Sequence, residues 1–440
     1  MIKRLLIANR GEIAVRIIRT CREMGIGTVA VYSTADRDSL HVRLADQAVC
    51  IGPPPSAQSY LVRNNLIMAA LNTGCEAIHP GVGFLSENAE FARMVRDRGL
   101  VFIGPDPEVI ELLGDKVRAR LTAKRFGLPV TPGTEGAVAG EDEAKKAAGN
   151  LGYPVIIKAA SGGGGKGMRI VRSPSELGAN LSLAKAEAEA NFSDGSVYIE
   201  RYLENPRHVE LQIIAGSSVA VLGERDCSVQ QNHQKLIEES PSPGVDLSMR
   251  KRMTRGAVKM FRELGYRGAG TIEFLVEGNS FYFMEVNARV QVEHPVSEMV
   301  SGMDIIRAQL LACTGNTTEE IKNPRLEGWA MECRINALSP GTVSRLEIPG
   351  GPGVRFDSFL YRGYAVLPYY DSMIAKLIVH APDRERALHR MERALGELVI
   401  EGVKTNRERQ LRIIEDPVFR SGNFGTSYYQ NMEKETEHVE

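Results

Sequence analysis

The stretch Phe281-Tyr-Phe-Met-Glu-Val-Asn-Ala-Arg-Val-Gln-Val-Glu-His294 constrains this chain more than any other. From Glu285 to Glu293 polar and apolar residues alternate without a break: Glu285, Asn287, Arg289, Gln291 and Glu293 against Val286, Ala288, Val290 and Val292. Period two predicts a strand with one face on a core and the other on something polar. A solvated strand face carries the same alternation. Here, however, the polar set mixes acids, a base and amides, and it begins abruptly at Glu285 after the aromatic Phe281 and Phe283. Such a face suits a substrate trough.

A second acid-bearing segment, Thr271-Ile-Glu-Phe-Leu-Val276, precedes it across Gly278-Asn279-Ser280. A three-residue hairpin loop there pairs residue 273 with 285 and sets Glu273 beside Glu285. A two-residue loop pairs 273 with 284 and sends the acids to opposite faces. Adjacent carboxylates raise each other's pKa unless a cation lies between them. The oxygen donors Glu273, Glu285 and the Asn287 carbonyl suit Mg²⁺ or Mn²⁺ rather than zinc. An extended run rises roughly 3.3 Å per residue, so Glu285 and Glu293 are expected too far apart to serve one ion. Metal and phosphate are expected at the Glu285 end, with Arg289 and Glu293 facing another group.

At 440 residues the chain has room for two or three domains. A net charge of −1 without a basic stripe gives no reason to expect nucleic acid. The six cysteines are scattered with no CxxC spacing, which fits reduced thiols better than disulfides or zinc. No apolar run approaches twenty residues, so a soluble, cytoplasmic protein with no membrane partner is expected.

Residues 3–8, Glu12–Met24 and Gly27–Tyr32 predict a βαβ start whose turn, Asn9-Arg10-Gly11-Glu12, lacks GxGxxG. A strand near Glu76–Ile78, the loop His79–Leu85, a helix capped by Ser86 and a strand at Leu100–Ile103 extend it into a doubly wound α/β domain. A helix at Asp115–Phe126 and an extended connector at Leu128–Gly133 follow. Tyr153–Lys158 predicts a strand ending in a lysine, then the loop Ser161-Gly162-Gly163-Gly164-Gly165-Lys166-Gly167 and a strand at Met168–Val171. This is no Walker A loop, because Lys166 is followed by glycine and the chain resumes as a strand. Its bare amides can close over phosphate oxygens. Further strands are expected at Ser196–Leu203, His208–Ile214 and Val219–Leu222, with a polar run through His233 and Lys235. Helices are expected at Leu247–Leu264, from about Met303, and at Arg384–Leu398. Strands at Trp329–Ala337, presenting Arg334, and Tyr369–Val379 complete the set, with a loose tail after Tyr429. A lysine strand, a glycine lid and paired strand carboxylates together describe an ATP site.

In these stretches the chain resembles the ATP-grasp superfamily and, within it, the biotin carboxylases. The resemblance rests on Ile7–Ile13, His79-Pro-Gly81, Gly83-Phe-Leu-Ser-Glu-Asn88, Gly114-Asp-Lys116, Ser161–Met168, Tyr202–Glu210, Glu224-Arg-Asp-Cys-Ser228, Gly265–Thr271, Arg289–Pro295 and Tyr369-Tyr-Asp-Ser-Met373. It implies an α/β fold, α+β in parts. Residues 1–114 would form the N-terminal domain. Residues 115–203 would form the central part, with a lid over about 131–203, and 204–440 the ATP-grasp core and a C-terminal mixed-sheet domain.

The resemblance implies that Lys116, Lys158 and the 162–167 loop bind ATP phosphates. Glu200, Arg201, Leu203, His208, Gln230 and His233 complete the ATP site, with Glu200 to Leu203 and His208 on adenine and ribose. Glu273, Glu285 and Asn287 carry the metal. Lys235, Arg289, Gln291 and the Val292 backbone hold bicarbonate, and Glu293 is its general base. Arg289 and Arg334 steady the biotin enolate and phosphate. No Ala-Met-Lys-Met biotinylation site occurs, so biotin is expected on a separate carrier protein, with a carboxyltransferase subunit as further partner and a homodimer as the assembly. The chain departs from the family pattern at Leu338–Arg345, which is short and lacks an acid after Ala337, at Gln231-Asn232, and at Arg201. The alternatives are another ATP-grasp carboxylate-activating ligase or a catalytically silent ATP-binding subunit.

Overall fold

Leu5, Leu6 and Ile7 are buried on both faces of their strand, as a parallel sheet covered by helices demands. In the computed structural model, which describes residues 2–160, 168–232, 234–315 and 324–437, that strand is the middle of five. β1 (Arg4–Ile7), β2 (Gly27–Ser33), β3 (Gln47–Gly52), β4 (Ala77–His79) and β5 (Val101–Phe102) run parallel in the order β3-β2-β1-β4-β5. The order reverses between β1 and β4, which opens a crevice beyond their carboxyl ends. Two loops meet there. Asn9 Nδ2 donates to the carbonyls of Pro80 and Val82 at 2.8 Å each. Gly81 makes that approach possible, since a Cβ on it would lie 2.8 Å from Asn9 Nδ2. The following helix starts at Ala89, capped by Asn88, not at Ser86. Ser86 spends its amide on the Gly83 carbonyl, in a turn that holds Phe84 at positive φ.

β6 (Val155–Ala159), β7 (Arg169–Val171) and β8 (Val197–Arg201) form a small antiparallel sheet in the order β7-β6-β8. Helices Glu141–Leu151 and Leu177–Phe192 pack on it through Ala144, Ala148, Leu181 and Ala184. The glycine loop expected between β6 and β7, with Gly162 to Gly165, Lys166 and Gly167, lies outside the described residues.

The largest sheet has eight strands: β9 (Arg207–Ala215), β10 (Val219–Gln231), β11 (Gln234–Ser240), β12 (Gly268–Glu277), β13 (Ser280–Asn287), β14 (Trp329–Asn336), Met373–Ala381 and Val354–Ser358. Its order is β13-β12-β9-β10-β11-β14, then Met373–Ala381 and Val354–Ser358. Every pair of these strands is antiparallel, where a mixed sheet was expected at the C-terminal end.

The β12–β13 hairpin turns on two residues, Gly278 and Asn279, because Glu277 pairs with Ser280. That register alone would set Glu273 against Met284. A bulge between Glu273 and Phe274 absorbs Met284 and restores the pairing of Glu273 with Glu285. The pairing expected from sequence therefore arises by another route. The strand also ends sooner, at Asn287, rather than running to Glu293. Ala288 and Val290 keep their inward alternation, but the Ala288 N–H donates to the Glu87 carboxylate instead of to a strand. A helix with proline in its first turn begins at His294.

After Tyr429, where a loose tail was expected, the described residues continue as the helix Tyr428–Glu437, with buried Tyr428 and Tyr429 in one cluster with Phe419 and Phe424. No helix among the described residues is long and apolar enough to cross a membrane.

Candidate active site

Lys235, on β11, organises the site. Its Nζ lies 2.7 Å from Glu210, 3.2 Å from Glu273 and 2.5 Å from Glu293. Burial alone would lower its pKa, but Cys227 and these carboxylates raise it well above the usual lysine value. The ammonium therefore stays charged. Glu293 is fully buried, which pushes its pKa up, yet Lys235 and Arg334 outweigh burial and hold it well below the carboxylate range. Arg334 reaches Glu293 through Nη2 at 3.0 Å and is itself held by Glu238 through Nε at 2.6 Å. The bend after Asn287 thus brings Glu293 onto the ammonium that also touches Glu273, where an extended run would have kept the two ends apart.

Glu273 and Glu285 share a pair of opposed positions but not an environment. Glu273 accepts from Asn287 Nδ2 at 2.7 Å and Gln291 Nε2 at 3.3 Å, and its other oxygen lies 2.7 Å from His208 Nε2. Burial raises its pKa, but Lys235 and His208 together hold it well below the usual range. At Glu285 burial and the Glu273 charge both push the pKa up, against Lys116 at 3.9 Å. That under-compensated carboxylate pair is what a hard dication would neutralise, so these acids fit one. Asn287, expected to offer its carbonyl, turns Oδ1 to Arg289 Nη2 at 3.1 Å and Nδ2 to Glu273. An amide turn is needed before it can be a ligand. His208, Glu210 and Glu273 also bring potential ligand atoms within 4.8 Å of one another, but there Lys235 already supplies the positive charge.

Arg289 leaves the strand path and is held by four acceptors. Nε donates to Glu87 at 2.8 Å, Nη1 to Gln291 Oε1 at 2.9 Å and to the Val290 carbonyl at 3.2 Å, and Nη2 to Asn287. Glu87 binds the Ala288 amide with its second oxygen, so one acid from the β4 loop fixes both backbone and side chain of the turn. The Val292 carbonyl accepts from Lys376 Nζ at 2.8 Å.

Toward the small sheet, Lys158 donates to Glu200 at 2.6 Å, and Arg120 lies 3.4 Å from the same acid. Burial would lower the Lys158 pKa, but Glu200 and Tyr198 raise it above the usual value. Glu200, expected near adenine, is in this way tied to Lys158, the lysine expected at the phosphates. Gln230 meets His208 Nδ1 at 2.6 Å, which draws His208 into the carboxylate cluster. Leu203 is buried. Arg201 lies at the edge, 3.2 Å from Glu277 and 3.3 Å from the Tyr282 hydroxyl. His233 lies outside the described residues.

A cavity of about 500 Å³ adjoins this cluster at the crevice of the parallel sheet. It is lined by Arg334 and Val292, by Arg10, Glu12 and Val82 to Phe84, and by Tyr369 to Asp371. Arg334, which lines the cavity and bonds to Glu293, thus stands between carboxylate cluster and cavity.

Sequence reasoning missed Glu87, Glu210, Arg225 and Glu238 as parts of the site. The alternation His208, Glu210, Gln212 on β9 repeats the pattern of Glu285 to Gln291 and could have marked Glu210. Arg225 is wholly buried and donates to Glu210 at 2.5 Å, Gln212 at 2.6 Å, Ser297 at 2.9 Å and Thr271 at 3.1 Å. Glu87 and Glu238 carry no periodic signal.

Three family models match the chain: the biotin carboxylase N-terminal domain over residues 1–110, the ATP-binding domain of the carbamoyl-phosphate synthase L chain over 115–321, and the biotin carboxylase C-terminal domain over 332–431. A biotin carboxylase of Nostoc is 52% identical over 98% of this chain and 99% of its own length. One of Haemophilus influenzae is 51% identical over 98% of each chain. Among solved structures, the biotin carboxylase–β,γ-ATP complex of Campylobacter jejuni has a TM-score of 0.95 at 46% identity, covering 98% of this chain and 99% of that one. The biotin carboxylase domain dimer of Hydrogenobacter thermophilus 2-oxoglutarate carboxylase, in complex with MgADP, ADP and bicarbonate, has a TM-score of 0.94 at 44% identity, covering 98% of each.

Proposed function

The chain belongs to the biotin carboxylase family of ATP-grasp ligases, and from that premise we propose how its own residues divide the ATP- and bicarbonate-dependent carboxylation of biotin. The observation that carries the reading is the clasp on buried Glu293, ionised between Lys235 and Arg334, the latter lining a cavity.

In the resting clasp Glu293 is a poor base, because two cations stabilise its charge. Bicarbonate arriving beside Lys235, Arg289, Gln291 and Val292 competes for those cations. As Lys235 and Arg334 turn to the new anion, the pKa of Glu293 rises toward that of an effective general base. Glu293 then takes the bicarbonate proton, and the freed oxygen attacks the γ-phosphorus of ATP. The bond to the β-phosphate breaks, giving ADP and carboxyphosphate. Carboxyphosphate separates into CO₂ and phosphate. The phosphate removes the N1 proton of biotin, and N1 bonds to CO₂. Arg289 and Arg334 stabilise the enolate of biotin and the phosphate.

Lys116 and Lys158 neutralise ATP phosphates. Glu273, Glu285 and Asn287 would hold Mg²⁺, or Mn²⁺, which when bound neutralises phosphate charge. Biotin enters the 500 Å³ cavity on a separate carrier protein, and a carboxyltransferase subunit uses the product. The protein acts as a cytoplasmic homodimer. The test is ATP hydrolysis with Mg²⁺ and free biotin, with bicarbonate present or withheld. Turnover that depends on both bicarbonate and biotin is expected; bicarbonate-independent hydrolysis, or none, rejects the reading.

A further inference from the structure

The segment between β13 and the helix at His294 belongs to no strand or helix. Among the described residues its polar backbone is held chiefly by side chains: Glu87 on the Ala288 amide, Arg289 on the Val290 carbonyl, His294 on the Gln291 carbonyl, and Lys376 on the Val292 carbonyl. Lys376 is wholly buried, and its ammonium lies 2.8 Å from that carbonyl and 3.1 Å from Glu12 Oε1. Glu12 belongs to the first helix and borders the cavity. In the large sheet Lys376 is the cross-strand partner of Arg334, so both side chains leave the same face. Arg334 grips the Glu293 carboxylate, and Lys376 grips the peptide that joins Val292 to Glu293. One sheet face thereby fixes the base at two points.

We propose that Lys376, anchored by Glu12, is a positioning residue for the bicarbonate site, setting the plane of the Val292–Glu293 peptide and so the direction in which the Glu293 carboxylate meets bicarbonate. A buried ammonium is costly unless paired, and Glu12 supplies the opposite charge at 3.1 Å while an N–H remains for the Val292 carbonyl. Asp357, the cross-strand neighbour on the other side, is bound by Arg355 at 2.6 Å, and the Glu332 and Asp357 charges add to that of Glu12 in keeping Lys376 protonated. The inference rests on the assignment of Val292 and Glu293 to bicarbonate.

The experiment measures steady-state ATP hydrolysis with Mg²⁺ and biotin, varying bicarbonate and ATP separately, in the wild type, Lys376→Met, Lys376→Arg and the double variant Lys376→Met/Glu12→Gln. The double variant removes the acid that the single one leaves stranded. A rise in KM for bicarbonate of about tenfold, with KM for ATP within about twofold, is expected for both Met variants, and partial recovery for Lys376→Arg. An unchanged bicarbonate KM overturns the proposal. So does a rise in both KM values together with a lower Tm, the mark of a merely structural lysine. Wild type without bicarbonate-dependent turnover would instead overturn the bicarbonate assignment itself, and this inference with it.

Discussion

The two carboxylates on β12 and β13 and the turn from Ala288 to Glu293 do adjacent work by different physical means. Glu273 and Glu285 are placed by a ladder: backbone hydrogen bonds and one bulge determine which residues oppose. Glu293 is placed by side chains reaching in from elsewhere, Lys235 from β11, Arg334 from β14 and Lys376 from the neighbouring strand. A ladder holds positions whatever the charges do. A side-chain clasp holds them only while the charges balance, and a substrate anion can open it. The rigid half suits a metal site, and the half held by ion pairs suits a base that must be released.

Glu293→Gln is the sharpest way to break that contrast. It keeps the shape but removes the base and half of the clasp. Loss of bicarbonate-dependent turnover by at least about 10²-fold is expected, with ATP affinity kept, because the ladder half is untouched. Turnover within a fewfold of wild type would remove Glu293 from the role of base.

Glu285→Gln acts on the ladder half. Burial and the neighbouring Glu273 charge both disfavour its ionised form, so the substitution relieves repulsion and Tm is expected to hold or rise. The Mg²⁺ concentration for half-maximal ATP turnover should rise on the order of tenfold or more, since a hard dication loses a charged ligand. A lower Tm with unchanged Mg²⁺ dependence would make Glu285 structural.

Glu87→Gln loosens the turn from the other side. It weakens the anchor of Arg289 and of the Ala288 amide. Removing one charge-assisted partner costs roughly 1.5–3 kcal/mol. A fall in kcat/KM for bicarbonate of about tenfold is expected with little change for ATP. Equal losses for both substrates would mean that the turn is not separately held.

The same contrast explains what was legible. The doubly wound start, the lysine strand and the Glu273–Glu285 pairing are periodic, local features, and alternation or spacing exposes them. The hairpin shows how narrowly that works: the loop is shorter than the pairing alone requires, and the Met284 bulge, which has no sequence mark, makes up the difference. Past the strand end the inward alternation survives only at Ala288 and Val290, which need a core and not a ladder; beyond them Gln291 and Glu293 are buried and Val292 is not. Long-range partners such as Glu87, Arg225 and Glu238 meet residues far away in sequence, and only the folded chain shows what they touch.

The smallest effect concerns Glu238, the acid that steadies Arg334. Burial pushes its carboxyl up to about 7, with Arg334 opposing and the Glu293 charge adding to the rise. Its geometry agrees: Oε1 accepts from Arg334, while Oε2 is buried without a hydrogen-bond partner among the described residues. Its cross-strand neighbour is Glu332, whose oxygens also lack partners there and whose pKa is raised well above the usual value, burial being the chief cause. A folded pKa above the ordinary 4.5 means that the native state binds the proton more tightly than the unfolded chain. The stabilisation is full below 4.5 and is lost as pH rises through about 7. Glu238→Gln carries no such proton, so Tm of the variant relative to wild type should climb between pH 5 and pH 8, on the order of 3 °C. A constant difference across that range would mean that Glu238 does not change its protonation between pH 5 and pH 8.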